Sequence, residues 1–459
     1  MQCTLTLRPH MSGRQLTHME VHLALDELHL SDGAELCRMQ LETVSIPGCH
    51  PEELHLTDGR GEVPLVLTEE RSYPYVYLIC QVQRETTGPL SLRYTVYPRP
   101  YAPGQSCGPY FDLKAEDGGA NAAGLSFLPS LAESEGDIRL HWDLSAMPTG
   151  AMGVNTFGEG DLSYTGSFEK LRQSYYAMGL LHRITRGDFG FYWLAEPSFD
   201  VEAIAAYVQR LYEVMAPFFR DTESVYRVFV RRDPDGYPGS GGTALLRSYM
   251  FGWNENKAVS VTEKQNILAH EMVHNWPQLN DEPYGTTTWY SEGTAEYYSI
   301  LLPLRAGLID RETALQEIQS RSDAYYTNPT RHLDNQEAAR RSWEDRQIQK
   351  LPYGRGIFFL ANADVQIRAA TDNRCGIDDV VLELLRRDRA GESLGNEVFL
   401  QVVREVSGLD LRPEWTCMCS GSHFAPLPGS FDGLFTVEER AGQEADTGNA
   451  ATVYRWQLR

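Results

Sequence analysis

The 459-residue sequence has no long apolar segment. Its best apolar stretch, from Tyr297 to Leu304, contains Pro303 and is far shorter than the roughly 20 residues that span a bilayer. The first residues of the chain also lack the uninterrupted apolar segment of a secretory signal. We therefore predict a cytoplasmic protein with no signal peptide, no transmembrane segment and no membrane partner.

Basic residues are few compared with acidic ones. The sequence has 41 lysines and arginines against 63 aspartates and glutamates, which gives a formal net charge of −22. Such an excess of negative charge repels phosphate backbones, so nucleic acid is excluded as the main partner. The 8 cysteines are irregularly spaced along a long chain, which argues against a disulfide framework and predicts reduced thiols.

The first part of the chain, residues 1–155, is predicted to form a β-rich domain. Apolar and polar residues alternate over 21–25, 90–96 and 138–144, and turn-forming residues separate these runs. Many short strands divided by turns are typical of a β-sandwich. The segment 116–124, which is rich in glycine and alanine, is predicted to be a loop within this domain.

Helical spacing of apolar residues becomes common after residue 155. The predicted elements are a helix over 199–220, a strand over 225–230, and helices from about 262 to Pro277 and from 288 to 306. We predict that the chain after residue 155 divides into a mixed domain over 156–310, an α-helical domain over 311–430 and a C-terminal tail over 431–459. Apolar and polar residues alternate only weakly near the end of this tail. The predicted fold class is therefore multidomain α+β.

The most informative segment is His270-Glu271-Met272-Val273-His274, in a stretch that permits a helix. A helix turns about 100° per residue, so the two histidines lie on one face and their imidazoles can bind one metal ion. Glu271 points to the adjacent side, where it can hold a water molecule without being a ligand. The alternative is a pair of ordinary core or surface histidines.

A catalytic zinc ion needs a third protein ligand beside a water molecule. Residues 275–280 supply neither the glycine nor the third histidine of the metzincin pattern. Glu292 lies on the next predicted helix, 17 residues separate it from His274, and Glu296 is one turn further on. We predict Glu292 as the ligand and Glu296 as the acceptor for the free N–H of a ligating histidine. The alternatives are the reverse assignment, or two glutamates on a solvated helix face.

Histidines outside this motif have no partner at the spacing of metal ligands. We interpret them as structural or surface residues; they include His18, His22, His141, His182 and His332.

The segments HEMVHNW and WYSEGTAEYY resemble the gluzincin zinc metallopeptidases, and among them the glycyl aminopeptidase family more than the alanyl aminopeptidases. Tyr353-Gly354-Arg355-Gly356 is similar to the family's signature of tyrosine, any residue, basic residue and glycine. Three further segments are similar, namely 326–331, 364–368 and 376–380. The likeness runs from about residue 225 to 408.

The resemblance implies a three-part architecture. It consists of a β-rich N-terminal domain, a thermolysin-like zinc catalytic domain over 156–310 and a helical C-terminal domain. Family members often end in a peptide-binding PDZ domain, and the chain after Gly408 is too short for one, so we expect none. The implied activity is that of a hydrolase, a metallopeptidase that takes Zn²⁺ as its cofactor and peptides as substrates.

The resemblance also implies a role for each site residue. His270, His274 and Glu292 are the zinc ligands. Glu271 accepts a proton from the attacking water, and Tyr353 stabilises the oxyanion. For Tyr353 the alternative is a buried tyrosine that packs between helices.

One position departs from the family pattern. The glutamate that binds the substrate's amino group in the family falls on Ala244, and no acidic residue lies between Gly236 and Phe251. A buried ammonium group without an anionic partner is costly. Gly241 and Gly242 are predicted to present backbone groups to an extended substrate, and the alternative for them is a plain turn.

Three functions are consistent with these residues. The prediction is a zinc aminopeptidase that acts on short peptides. Ala244 leaves open a zinc endopeptidase or another amide hydrolase. The third alternative is a non-catalytic binding protein with the peptidase fold, against which the intact motif residues argue.

Overall fold

The computed structural model describes residues 1–43, 46–105, 107–237, 241–254, 261–281 and 283–459. The chain divides into two compact units, one formed by Met1–Tyr207 and Glu223–Lys264 and the other by Val208–Thr222 and Gln265–Arg459. Among the described helices, none has both the length and the apolar character needed to cross a membrane. The four-part division predicted from the sequence stays a prediction.

The first unit consists mainly of strands. They are β1 (Gln2–Ser12), β2 (Gln15–Asp26), β3 (Glu35–Thr43), β4 (Ile46–Pro47), β5 (Glu52–Asp58), β6 (Gly61–Glu62), β7 (Leu65–Ser72), β8 (Tyr75–Val82), β9 (Leu90–Val96), β10 (Lys114–Glu116), β11 (Gly119–Ala123), β12 (Ser130–Leu131), β13 (Glu135–Trp142), β14 (Met152–Asn155), β15 (Gly158–Glu159), β16 (Leu162–Ser167), β17 (Tyr175–Gly179), β18 (His182–Arg186), β19 (Phe189–Trp193), β20 (Tyr226–Arg232), β21 (Gly242–Leu245) and β22 (Ser248–Trp253). Between them lie a 3-10 turn (Gly124–Ser126), helix α1 (Glu169–Arg172) and the start of helix α2 (Val201–Phe218).

These strands form four sheets in the described part of the unit. Their orders are β16-β13-β1-β2-β9-β5-β6, β12-β3-β8-β7 with β4 beside β3, β10-β11-β17-β14-β15, and β18-β19-β20-β22-β21. Buried and exposed residues alternate along β1 and β2, because one face of each strand contacts a core. Apolar side chains of the first three sheets share that core. The β-rich character predicted for the start of the chain is confirmed.

The prediction of a loop over 116–124 is wrong. Residues Gly119–Ala123 form β11, an inner strand in which all five residues are buried. A Cβ atom on Gly119 would lie 2.0 Å from the carbonyl oxygen of Met178 in the neighbouring β17. Glycine and alanine are typical of loops, but here their small size lets two backbones approach closely.

The second unit is mainly helical. After the end of α2 its elements are the larger part of α3 (Val261–Val273), which begins in the first unit, and α4 (Thr288–Arg305), α5 (Arg311–Tyr326), α6 (Asn335–Arg341), α7 (Arg346–Gln349), α8 (Leu351–Ala370), α9 (Ile377–Arg389), α10 (Asn396–Ser407), α11 (Arg412–Cys419), β23 (Phe435–Gln443) and β24 (Ala450–Leu458). The helices and the strand predicted between residues 199 and 306 are confirmed as α2, β20, α3 and α4. The helical character predicted beyond residue 310 is also confirmed, as far as Cys419.

Helices α4 and α8 approach each other at a pair of glycines. A Cβ atom on Gly293 would lie 2.4 Å from the Cα atom of Gly356, and one on Gly356 would lie 2.0 Å from the carbonyl oxygen of Trp289. Any larger residue at either position would push the two helices apart. Gly293 directly follows Glu292, and Gly356 is three residues after Tyr353, so this contact sets the distance between two predicted site residues.

The C-terminal tail forms a β-hairpin. Strands β23 and β24 pair antiparallel along their whole length. β24 lies against α5, because the Gln319 side chain donates a hydrogen bond to the carbonyl of Tyr454 (3.0 Å) and accepts one from the backbone N–H of Trp456 (2.9 Å). The weak alternation near the end of the sequence therefore corresponds to a strand with a buried face.

Candidate metal centre

The two motif histidines lie one helical turn apart near the end of α3. Their Nε2 atoms are 3.1 Å apart, and their rings meet at an angle of 84°. The two side chains lie side by side, because residues at positions i and i+4 share one face of a helix. Each histidine therefore directs one ring nitrogen toward the same point.

Glu292 on α4 brings a third donor atom to this point. Its Oε2 atom lies 3.3 Å from Nε2 of His270 and 3.7 Å from Nε2 of His274. The three ligand atoms all lie within 4.8 Å of one another. Oε2 of Glu292 is buried, and no described group forms a hydrogen bond with it. Two imidazoles and one carboxylate are a donor set that zinc takes, and a cation here would satisfy the orphaned oxygen. The residues fit a zinc ion.

Glu296 lies on the other side of the His270 ring. Its Oε1 atom is 3.3 Å from Nδ1 of His270, which makes Nδ1 the protonated nitrogen and leaves the lone pair of Nε2 facing His274 and Glu292. Its other carboxylate oxygen contacts the guanidinium of Arg321. Glu296 thus orients His270 and does not share the point where the three donor atoms meet.

Arg321 on α5 holds this carboxylate in place. Besides Glu296 it contacts the side-chain oxygen of Asn266 on α3 and, at 2.5 Å, a carboxylate oxygen of Glu317. The sequence analysis missed Arg321, Asn266 and Glu317, because no spacing rule joins α5 to the zinc motif. The only sign of these residues in the sequence is that polar and charged residues occur on predicted helices.

Burial and mutual charges set the protonation of these side chains. Burial alone would lower the pKa of His270, but the neighbouring carboxylates of Glu292 and Glu296 outweigh it and raise that pKa to about 10. Burial lowers the pKa of His274 to about 4, so its imidazole is neutral at pH 7, as a metal ligand must be. Burial also opposes ionisation of Glu296, yet the charge of Arg321 keeps the pKa of Glu296 below its usual value.

Glu271 has a different environment from the other carboxylates. It is buried, and this burial raises its pKa to about 7 even though the neighbouring His270 charge acts in the opposite direction. A carboxylate with a pKa near neutrality can both accept and return a proton. That property is the one expected of a general base.

Tyr353, in the first turn of α8, stacks on the metal-site histidine. Its ring centroid lies 5.7 Å from that of His270, and the two rings are nearly parallel at 6°. Burial, the charges of Glu292 and Glu271 and a hydrogen bond to Glu292 raise the pKa of Tyr353 well above its usual value, so the phenol keeps its proton. The ammonium of Lys350 lies 3.8 Å from the Tyr353 ring centroid, a cation that the sequence analysis also missed.

Arg355, the arginine of the signature that contains Tyr353, contacts residues outside the metal centre. Arg355 is fully buried and donates hydrogen bonds to the side chain of Asn335 (2.7 Å) and to the carbonyls of Arg331 (2.8 Å) and Leu333. It therefore fixes the segment that leads into α6 rather than contacting the three donor atoms.

The predicted substrate-binding glycines lie in the first unit. Gly242 begins β21, the edge strand of its sheet, and pairs with Phe251, while the carbonyl of Gly241 accepts a hydrogen bond from Gly252 (3.0 Å). Ala244 lies on the same strand and is half-buried. An edge strand has the free backbone groups that strand addition requires, and the role of these glycines stays a prediction.

One interpretation of the remaining histidines is wrong. His18 does have a partner at metal-ligand distance, because His10 lies directly opposite it on the paired strand and Glu20 is close by. Residues that are eight apart in the sequence become neighbours across a hairpin, which a search for helical spacing does not detect.

Comparison with known proteins relates the chain to zinc peptidases. Residues 263–353 match the family model of the M61 glycyl aminopeptidases, and this segment contains every residue of the metal centre from His270 to Tyr353. A comparison with curated protein sequences finds no match. Three similar solved structures share the fold at low sequence identity.

The first is an aminopeptidase N family protein from Idiomarina loihiensis, with a TM-score of 0.71 and 14% identity over 95% of this chain and 79% of that one. The second is an M1 zinc metallopeptidase from Deinococcus radiodurans, with a TM-score of 0.58 and 16% identity over 93% and 95% of the two chains. The third is yeast LTA4 hydrolase, with a TM-score of 0.56 and 14% identity over 94% and 69%.

These likenesses confirm the predicted multidomain α+β class, with a β-rich N-terminal domain and a helical C-terminal domain. They also confirm the resemblance to the gluzincin metallopeptidases: the chain has the fold of the M1 zinc metallopeptidases, and its metal-centre segment is similar to the glycyl aminopeptidases.

Proposed function

We propose that the protein is a zinc-dependent peptidase that hydrolyses peptide bonds with an activated water, and that its substrates are short peptides with a free amino terminus. The observation that carries the proposal is the meeting of three donor atoms, from His270, His274 and Glu292, of which the Glu292 oxygen is buried without a hydrogen bond. The match of this segment to a glycyl aminopeptidase model supports it. So does the Deinococcus relative, which has been solved with a Tyr-Ser-Ala substrate.

The chain's own residues supply the proton transfers. A bound zinc ion would supply Lewis acidity and lower the pKa of a coordinated water from about 15.7 toward about 7. Glu271 then accepts a proton from the attacking water and delivers it to the leaving amine, for which a pKa of about 7 is suited. Tyr353 keeps its proton and donates a hydrogen bond to the carbonyl oxygen as negative charge develops there.

Selection of a free amino terminus requires a group that binds the substrate's ammonium. A buried ammonium group needs an anionic partner, and the position that carries this partner in the resembled family is Ala244. This single observation favours a second candidate, a zinc endopeptidase or another amide hydrolase with the same water activation. The two candidates differ only in what binds the substrate beyond the scissile bond.

Glu271→Gln tests the catalytic role. We expect kcat to fall by roughly 10²–10⁴-fold, because the amide cannot accept a proton, while zinc content by elemental analysis stays unchanged. Glu312→Gln, an exposed α5 variant outside the centre, is the control and should retain full activity. If the Glu271→Gln enzyme keeps its zinc and turns over within about tenfold of wild type, Glu271 is not the base.

Glu296→Gln tests how the zinc ligand His270 is oriented. We expect zinc affinity, measured by competition with a chromophoric chelator, to drop roughly 10–100-fold, since the neutral amide holds the Nδ1–H and Arg321 more weakly. Glu317→Gln is a matched control, because Glu317 contacts the same arginine but not His270. Equal losses in the two variants would show that the arginine, and not the Glu296–His270 contact, sets the affinity.

A substrate panel separates the two candidate functions. Aminoacyl arylamides and short peptides are compared with the same peptides carrying a blocked amino terminus. The aminopeptidase proposal predicts that kcat/KM is at least about tenfold higher for peptides with a free amino terminus. This ratio corresponds to roughly 1.4 kcal/mol of free energy from recognition of the amino group. Equal rates on free and blocked peptides would replace it with the endopeptidase candidate.

A further inference from the structure

The hairpin formed by β1 and β2 places two histidines and a glutamate on one face of the seven-stranded sheet. His10 and His18 are direct partners in the antiparallel register, and Glu20 lies two residues beyond His18. The alternate residues Pro9 and Met19 are buried, so the three side chains point away from the core. This group belongs to the first unit and shares no residue with the metal centre of α3 and α4.

The three side chains are close enough to bind one ion. The imidazole rings of His10 and His18 stack with centroids 4.3 Å apart, and Nε2 of His10 is 2.9 Å from Oε1 of Glu20. One ligand atom from each residue lies within 4.8 Å of the other two. Nε2 of His10 is shielded from solvent, and its contact with the Glu20 carboxylate lacks the alignment of a hydrogen bond. A cation bound between this nitrogen and the carboxylate would satisfy both groups.

Thr17 fixes the tautomer of His18. The Thr17 hydroxyl donates its hydrogen to the carbonyl of His10 at 3.0 Å, and Nδ1 of His18 is also 3.0 Å from this hydroxyl oxygen. A hydroxyl has one hydrogen, so Nδ1 must be the donor in the second contact. The proton of neutral His18 is therefore on Nδ1, and Nε2 keeps the lone pair that a metal ion needs.

We propose that His10, His18 and Glu20 form a second metal site, which binds a divalent transition-metal ion of the Zn²⁺ or Cu²⁺ type. Imidazole and carboxylate are ligands of these ions, and Ca²⁺ or Mg²⁺ would require oxygen ligands alone. The His10 ring turns about its Cβ–Cγ bond on binding, because two parallel rings cannot direct their nitrogens to one ion and Thr17 holds the other ring. The Glu20 side chain is 46% exposed, so an ion can reach its carboxylate from solvent.

The test is zinc stoichiometry of the full chain, by equilibrium dialysis against Zn²⁺ followed by elemental analysis. We expect wild type to bind one equivalent more than His18→Asn and one more than Glu20→Gln. His22→Asn is the matched control. His22 lies on the same strand and face, but its ring forms a hydrogen bond with the Ser91 hydroxyl at 2.9 Å. This variant should bind as much zinc as wild type. Equal stoichiometry in wild type, His18→Asn and Glu20→Gln would overturn the proposal.

Three further variants make the result specific. His270→Ala should lose the zinc equivalent of the α3–α4 metal centre and keep the equivalent bound at the hairpin. Failure of the hairpin site and failure of the catalytic site therefore give distinguishable results. Thr17→Val should weaken binding at the hairpin at least about tenfold, and Thr17→Ser, which restores the hydroxyl, should recover it. If Thr17→Val binds as tightly as wild type, Thr17 does not position His18.

Discussion

The meeting of Nε2 of His270, Nε2 of His274 and Oε2 of Glu292 is the constraint on which the chemistry of the second unit depends. Four ionisable side chains of α3 and α4 are removed from bulk water here, and such burial is costly unless a cation balances the carboxylates. The two glutamates raise the pKa of His270 to about 10, because a positive charge between them is favourable. A divalent cation bound by the three donor atoms would supply this charge and satisfy the orphaned oxygen of Glu292.

The packing of α4 against α8 explains the glycines at positions 293 and 356. Gly293 and Gly356 let the backbones of α4 and α8 approach to a distance that no side chain would allow. Glu292 and Tyr353 are carried on these two helices, so the same contact that packs the unit brings the phenol to the metal centre. Arg355 is buried and Arg321 is partly buried, yet only Arg321 reaches the histidine system, through Glu296, while Arg355 fixes a loop.

The sequence predicted those parts of the site that follow local geometry. Two histidines four residues apart on a helix must share a face, and Glu292 follows on the next helix, so their proximity required little knowledge of the fold. Arg321 and Lys350 could not be predicted, because their positions depend on how α5 and the start of α8 pack against α3. The pairing of His10 with His18 was missed for a related reason: it depends on strand register, and helical spacing does not reveal it.

The same distinction holds for the fold. Period-two alternation and helical stripes identified most elements correctly because one buried face imposes each pattern. The inner strand β11 was missed because glycine and alanine carry no alternation and are also common in loops.

The most direct test of the central claim is anomalous diffraction from crystals of the zinc-loaded protein, recorded on both sides of the zinc absorption edge. The account predicts an anomalous peak about 2.0–2.2 Å from Nε2 of His270, Nε2 of His274 and a carboxylate oxygen of Glu292. Zinc-loaded crystals without a peak between these three side chains, or with one that only a single histidine contacts, would contradict it.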